Sequence, residues 1–194
     1  MNLEKTNQIK AAITAVGGYV PDAILSNEDL EKMVDTNDAW ITSRTGIKER
    51  RILKEKDKAT SFLAVEAAQD LISKYNIDPK SIDIVIMATI TPDMHVAATA
   101  AYVASTIGAD NAFAYDLTAA CSGFLYGMST SAAYISSGRY KKVLLVGADK
   151  MSSIVDYTDR DTCVIFGDGA GAVLFEPSIN KFGWEDEYLR SNGD

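Results

Sequence analysis

Two stretches of the chain, Ile84-Val85-Ile86-Met87-Ala88 and Val143-Leu144-Leu145-Val146, are apolar at every position. A strand with one wet face alternates apolar and polar side chains, so unbroken runs of this length belong to strands covered on both faces. Such strands need helices above and below the sheet. Thr60 to Tyr75 supplies one: Leu63, Ala64, Ala67, Ala68, Leu71, Ile72 and Tyr75 share a helical face. Thr60 or Ser61 is its expected cap, and Asp78-Pro79 closes it. Ala97 to Ile107 and Ser122 to Ser137 read as small-residue helices stopped by Gly108 and Gly138. Ser26 or Asn27 caps a further helix with Asp29 and Glu31 in its first turns.

Strands are expected at Ile9 to Val20, Ile82 to Ile90, Ala112 to Leu117 and Lys142 to Ala148. The alternation of strand and helix predicts an α/β fold with a mixed, mostly parallel sheet covered by helices on both faces. Near the end, Cys163 to Phe166 and Ala170 to Phe175 read as an edge hairpin around Gly167-Asp168-Gly169. Lys48 to Lys58 is charged without an apolar stripe and reads as a solvated loop or ribbon.

Composition narrows the function classes. The 194 residues suit one sizeable domain, and 47% apolar residues exclude a disordered chain. A net charge of −8 argues against nucleic acid as a partner, since phosphate contact wants a positive surface. Two cysteines and one histidine, with no CxxC, leave neither a disulfide framework nor a metal-ligand spacing. The first eight residues hold no apolar signal core, and no apolar run approaches a membrane span. The expectation is a soluble, cytoplasmic protein in a reducing compartment, without a metal or a membrane partner.

Cys121 is the first candidate for chemistry. It follows the expected strand ending at Leu117, and a helix is expected to begin at about Cys121. Unpaired backbone N–H groups and the positive end of a helix dipole favour thiolate over thiol there. Thiolate attacks a thioester or other acyl carbonyl. Ala119, Ala120, Ser122 and Gly123 leave room for a substrate. A buried structural cysteine is the plainer alternative, and it fits Cys163, which lies within an apolar stretch. Gly167-Asp168-Gly169-Ala170-Gly171-Ala172 lacks the Lys-Ser/Thr ending of a phosphate loop, and its glycines read as a tight turn beside a site. His95, in a loop after Thr91-Pro92-Asp93-Met94, is not taken as the partner of Cys121. Arg44, Lys48, Arg50 and Arg51 form a basic cluster, either a solvated loop or a site that captures a phosphate-bearing molecule. Trp40, four residues before Arg44, could hold a flat base beside the guanidinium.

Three blocks carry a resemblance to a known family. They are Thr36-Asn37-Asp38-Ala39-Trp40-Ile41 followed by Arg44-Thr45-Gly46-Ile47 and Arg50, then Asp116 to Phe124 around Cys121, then Asp159-Arg160 with Phe166 to Ala172. In order and spacing the chain, from about Ile9 to Asp194, resembles the N-terminal half of β-ketoacyl-acyl-carrier-protein synthase III, of the thiolase-like superfamily. The resemblance implies one half of a five-layered αβαβα fold, with residues 1–177 as that half and residues 178–194 starting the connection to the second. It implies an acyltransferase of fatty-acid initiation. Cys121 would take a short acyl group, typically acetyl, from coenzyme A. Decarboxylation of malonyl-acyl carrier protein would then give a carbanion that attacks the acyl-cysteine, yielding a 3-oxoacyl product.

By the same resemblance Thr36, Trp40, Arg44 and Arg160 hold coenzyme A, which is a substrate, so no separate cofactor is expected. Met151 and Phe166 line the acyl pocket, and Val96 stands where relatives often carry a phenylalanine that closes the pocket of the neighbouring subunit. The implied partners are acyl carrier protein, acyl-CoA and a second copy in a homodimer joined partly through the strand before Cys121. The family's catalytic histidine and asparagine lie in its second half, and His95 matches neither, so these 194 residues alone are not expected to condense. A related polyketide, alkylquinolone or 3-hydroxy-3-methylglutaryl-type starter enzyme, and a non-catalytic acyl-CoA-binding half-domain, are the alternatives.

Overall fold

In the computed structural model, residues 9–179 and 182–193 are described. The fully apolar runs become β4 (Ile84–Ala88) and the start of β6 (Val143–Lys150), and they lie side by side in the sheet. With β1 (Ala11–Tyr19), β5 (Phe113–Leu117) and β7 (Asp168–Pro177) they form a five-stranded sheet in the order β1-β7-β6-β4-β5. β4 runs parallel to both β5 and β6, while β7 is antiparallel to both β6 and β1. The sheet is therefore mixed and mostly parallel, as expected: β1, β4, β5 and β6 point one way and β7 runs against them.

The expected edge hairpin is not formed. β7 is one long strand in the interior of the sheet, and Gly167-Asp168-Gly169 leads into it rather than turning between two strands. Cys163 to Phe166 is a turn, held by Cys163 N–H donating to Asp159 O (3.0 Å) and Ile165 N–H to Thr162 O (3.1 Å). That turn buries Cys163 and Val164 against Leu30 and Ile41, which outweighs the strand preference of a short apolar run.

α3 (Thr60–Tyr75) and α4 (Thr99–Ile107) cover one face of the sheet, and α5 (Gly123–Ser136) covers the other. α3 lies hard against β1. A Cβ on Gly17 would stand 2.5 Å from Ala67 O and 2.6 Å from Leu71 N, so only glycine permits that approach. β2 (Ile24–Ser26) and β3 (Glu49–Arg51) pair as a small ribbon beside α1 (Asn27–Glu31) and α2 (Asp38–Thr45).

Ser26 caps α1 in a reciprocal box with Asp29. α3 is capped differently from expectation. Its N-cap, Ala59, makes no side-chain bond, and neither Thr60 nor Ser61 caps it. Instead Asp93 Oδ1 accepts from Ser61 N–H at 2.9 Å, and the Thr60 hydroxyl binds Thr91. Asp116 does the same for α4, accepting from Thr99 N–H (2.8 Å) and Ala100 N–H (2.7 Å). Both helix starts are thus fixed by carboxylates from elsewhere in the chain.

Candidate active site

The carboxyl ends of the parallel strands β5, β4 and β6 come together, Leu117 beside Ala88 and Ala88 beside Gly147. Ligands of α/β sheets gather at such ends. From Leu117 the chain turns through Thr118, whose hydroxyl donates to Thr89 O (3.2 Å), while Thr89 N–H donates to Leu117 O (3.2 Å). One 3₁₀ turn, Ala120–Ser122, follows, and α5 begins at Gly123. Cys121 therefore sits at the opening of the helical segment, two residues ahead of the α-helix proper. Ala120 has φ +45°, left-handed backbone at a residue with a Cβ. Such a conformation costs of order 1–3 kcal/mol and persists where the surroundings impose it.

Cys121 is exposed and lines a cavity of about 310 Å³. Small residues make most of its wall, among them Ala88, Gly147 and Gly167, and the bulky apolar side chains are Phe124 and Met151. Asp149 is the charged group of the lining. Its Oδ1 accepts from the Thr89 hydroxyl (2.9 Å), Ile90 N–H (2.8 Å), Thr91 N–H (3.2 Å) and the Thr91 hydroxyl (2.9 Å). Asp149 thus pins the loop after β4, and through Thr89 that loop is tied to Thr118 and the turn bearing Cys121. A larger cavity of about 460 Å³ lies between Ala11, Phe175 and Trp184, with Glu185 and Asp186 in its wall and no cysteine.

Other expected site residues fall into three groups. Met151 lines the cavity with Cys121; Phe166 is half-buried next to Gly167 but is not part of that wall. Val96 is 99% exposed in the loop before α4 and is no wall of this chain's own cavity; His95 beside it is exposed too. Trp40, Arg44 and Arg160 are brought together: the guanidinium carbons lie 4.4 Å (Arg44) and 5.0 Å (Arg160) from the indole centroid. Arg160 also faces Asp35 at 3.6 Å. Its Nε and the Thr36 hydroxyl oxygen are buried without a hydrogen-bond partner among the described residues. Buried polar atoms without a partner are uncommon in folded proteins.

Arg50 does not belong to the exposed basic cluster. It is 3% exposed, its Nε donates to Val164 O (3.0 Å), its Nη1 to Asn27 Oδ1 (2.5 Å) and its Nη2 also to Val164 O. Burial lowers its pKa below the usual guanidinium value. Arg50 fastens β3 to α1 and to the Cys163 turn. Lys48 is paired with Asp38 and Arg51 with Glu49, leaving Arg44 as the member of the cluster set against Trp40. Cys163 is fully buried, and desolvation raises its thiol pKa.

Residues 115–193 match the family model of 3-oxoacyl-[acyl-carrier-protein (ACP)] synthase III. Over 186 residues the chain is 56% identical to β-ketoacyl-[acyl-carrier-protein] synthase III 2 of Bacteroides thetaiotaomicron, an alignment covering 96% of this chain and 56% of that protein. The β-ketoacyl-[acyl-carrier-protein] synthase III of Porphyromonas gingivalis is 54% identical over 187 residues, with the same shares covered. The crystal structure of 3-oxoacyl-[acyl-carrier-protein] synthase III from Aquifex aeolicus superposes with a TM-score of 0.84 at 46% identity, covering 88% of this chain and 55% of that one. The priming β-ketosynthase of the R1128 polyketide pathway superposes at 0.85 with 35% identity, covering 92% and 53%. The chain spans about half the length of the curated relatives it matches.

Proposed function

We propose, from the similarity of the chain to β-ketoacyl-acyl-carrier-protein synthases III over about half their length, that it carries the acyl-accepting site of a condensing acyltransferase of fatty-acid initiation. The observation that carries the reading is an exposed cysteine at the start of a helix, at the joined carboxyl ends of three parallel strands, opening on a cavity. The Cys121 thiolate attacks the thioester carbonyl of an acyl-CoA, typically acetyl-CoA. A new sulfur–carbon bond forms, the bond to coenzyme A breaks, and coenzyme A leaves as a thiol after taking up a proton. Malonyl-acyl carrier protein then loses carbon dioxide, and its carbanion displaces Cys121 to give 3-oxoacyl-acyl carrier protein. For that second step the resemblance implies a histidine and an asparagine from the family's second half.

Thr36, Trp40, Arg44 and Arg160 are the proposed coenzyme A contacts. The indole offers a flat face to the adenine, and the guanidinium groups offer charge to phosphates. The proposed setting is cytoplasmic, with acyl carrier protein as the protein substrate and a second copy as the homodimer partner. Among the described residues no helix is long and apolar enough to cross a membrane. A polyketide starter role is less favoured, because identity to that priming enzyme is 35% against 56% for the fatty-acid relative.

The test is intact-protein mass spectrometry after incubation with acetyl-CoA. The reading expects one acetyl adduct on the wild-type protein and none on Cys121→Ala. Binding of coenzyme A without an adduct would instead identify a binding module, and an adduct that survives Cys121→Ala would place the nucleophile elsewhere.

A further inference from the structure

The turn that presents Cys121 is strained, because Ala120 holds φ +45° with a Cβ in place. Within the turn, Ser122 N–H donates to Ala119 O (3.1 Å) and Gly123 N–H to Ala120 O. Those bonds close the turn on itself but do not fix where it sits on the sheet. Its entry is fixed by Thr89, whose N–H donates to Leu117 O and whose carbonyl accepts from the Thr118 hydroxyl. Thr89 is buried, and its own hydroxyl donates to Asp149 Oδ1 at 2.9 Å. The same oxygen accepts from Ile90 N–H, Thr91 N–H and the Thr91 hydroxyl. Bonds to an ionised oxygen are roughly twice as strong as neutral ones. The backbone of Asp149 lies in β6, opposite Gly169 of β7. Its carboxylate therefore carries the position of the sheet, through Thr89, to the entry of the turn.

We propose that Asp149 is a positioning residue for Cys121: acting through Thr89, it holds the turn in the strained form that sets the sulfur at the helix start. The inference rests on the acyl-transfer reading above for its effect on rate. A misplacement of about 1 Å between reacting atoms costs about 100-fold. This role differs in sign from that of a charge beside the sulfur. As a bare negative charge Asp149 would oppose the thiolate, and its removal would speed acylation. As an anchor, its removal slows acylation.

The experiment follows acetylation of Cys121 by acetyl-CoA in wild type, Asp149→Ala, Asp149→Asn and Thr89→Val, with maximal rate and half-saturating concentration measured separately. Asp149→Ala is expected to lower the maximal rate about 100-fold and to leave the half-saturating concentration unchanged. Asp149→Asn keeps an acceptor oxygen without the charge and falls between it and wild type. Thr89→Val removes the hydroxyl link alone and slows acetylation in the same way. The double variant Asp149→Ala/Thr89→Val is expected to be no slower than its slower parent. Adding Ala120→Gly to Asp149→Ala restores about 10-fold, because glycine takes a positive φ without strain; general loosening of the fold would not be repaired in this way. Acetylation of Asp149→Ala at or above the wild-type rate, losses that multiply in the double variant, or a loss that Ala120→Gly leaves untouched overturns the proposal. A crystal structure of Asp149→Ala supplies an arm that needs no acyl transfer. Ala120 is expected to have left the positive-φ region, and a φ still near +45° with Cys121 unmoved overturns the proposal. If wild type takes no acetyl group, the acyl-transfer reading fails, while the crystal structure still decides the positioning. Should Asp149→Ala not fold, Thr89→Val decides in both arms.

Discussion

At the scale of single residues, the two cysteines show how environment separates identical chemistry. Cys121 is exposed at a helix start; Cys163 is fully buried among Leu30, Ile41 and Val164, with its thiol pKa raised by desolvation. Iodoacetamide at neutral pH is therefore expected to alkylate Cys121 alone in the folded protein, and both residues in denaturant; peptide mapping reads the outcome. Equal labelling without denaturant would refute the burial of Cys163. Arg50 carries the opposite lesson, because a charged residue in a basic run proved to be a buried clamp. Arg50→Ala leaves Val164 O and Asn27 Oδ1 without their donor and is expected to cost about 2–4 kcal/mol in urea unfolding. A loss within about 0.5 kcal/mol, the range of ordinary surface substitutions, would show that the clamp contributes little. From one sequence, nothing about Arg50 distinguishes it from Arg51 next to it. Phe124 was within reach: it stands three positions after Cys121 in an expected helix, and that spacing puts both on one side.

At the scale of elements, much of the architecture was legible. The all-apolar runs located β4 and β6, and the periodic apolar face located α3 to the residue. What failed was whatever depends on a distant partner. β7 is an inner strand because β1, about 160 residues earlier in the chain, pairs along its other edge. No local spacing reports that pairing. The same holds for the carboxylates of Asp93 and Asp116 at the starts of α3 and α4.

The α1 cap is local, and its pH behaviour follows from it. Bonds from Lys32 and Ser26 hold the Asp29 carboxyl at a pKa of about 2, against an ordinary 3.8. Its folded pKa is depressed, so the stability it contributes is present above about pH 4 and is lost as pH falls toward 2. Asp29→Asn is expected to flatten that part of the acid-unfolding profile and leave the neutral plateau's shape unchanged. An identical acid limb in the variant would contradict the assignment. Packing of α3 on β1 gives a further expectation. Gly17→Ala places a methyl group into the helix backbone and is expected to cost about 1–3 kcal/mol, read as a lower urea midpoint.

At the scale of the whole molecule, the two faces of the sheet are covered unequally. α3 and α4 close one face, and α5, with Trp184 beside it against Phe175, covers the other, leaving Leu125 on α5 53% exposed and Ile13 and Val16 of β1 also open to solvent. Apolar surface left open in this way seeks a cover. The 194-residue chain on its own is expected to self-associate in sedimentation velocity runs, and a single monomeric species would contradict that. The candidate site shares the same geometry. Cys121 lies where α5 leaves the sheet, and its cavity is walled by the ends of the central strands.

The most direct measurement of the central claim is a crystal structure of the protein after reaction with acetyl-CoA. The account predicts continuous density from Sγ of Cys121 into the space between Phe124 and Met151. An unmodified Cys121 with the acyl group bonded to another residue would contradict it.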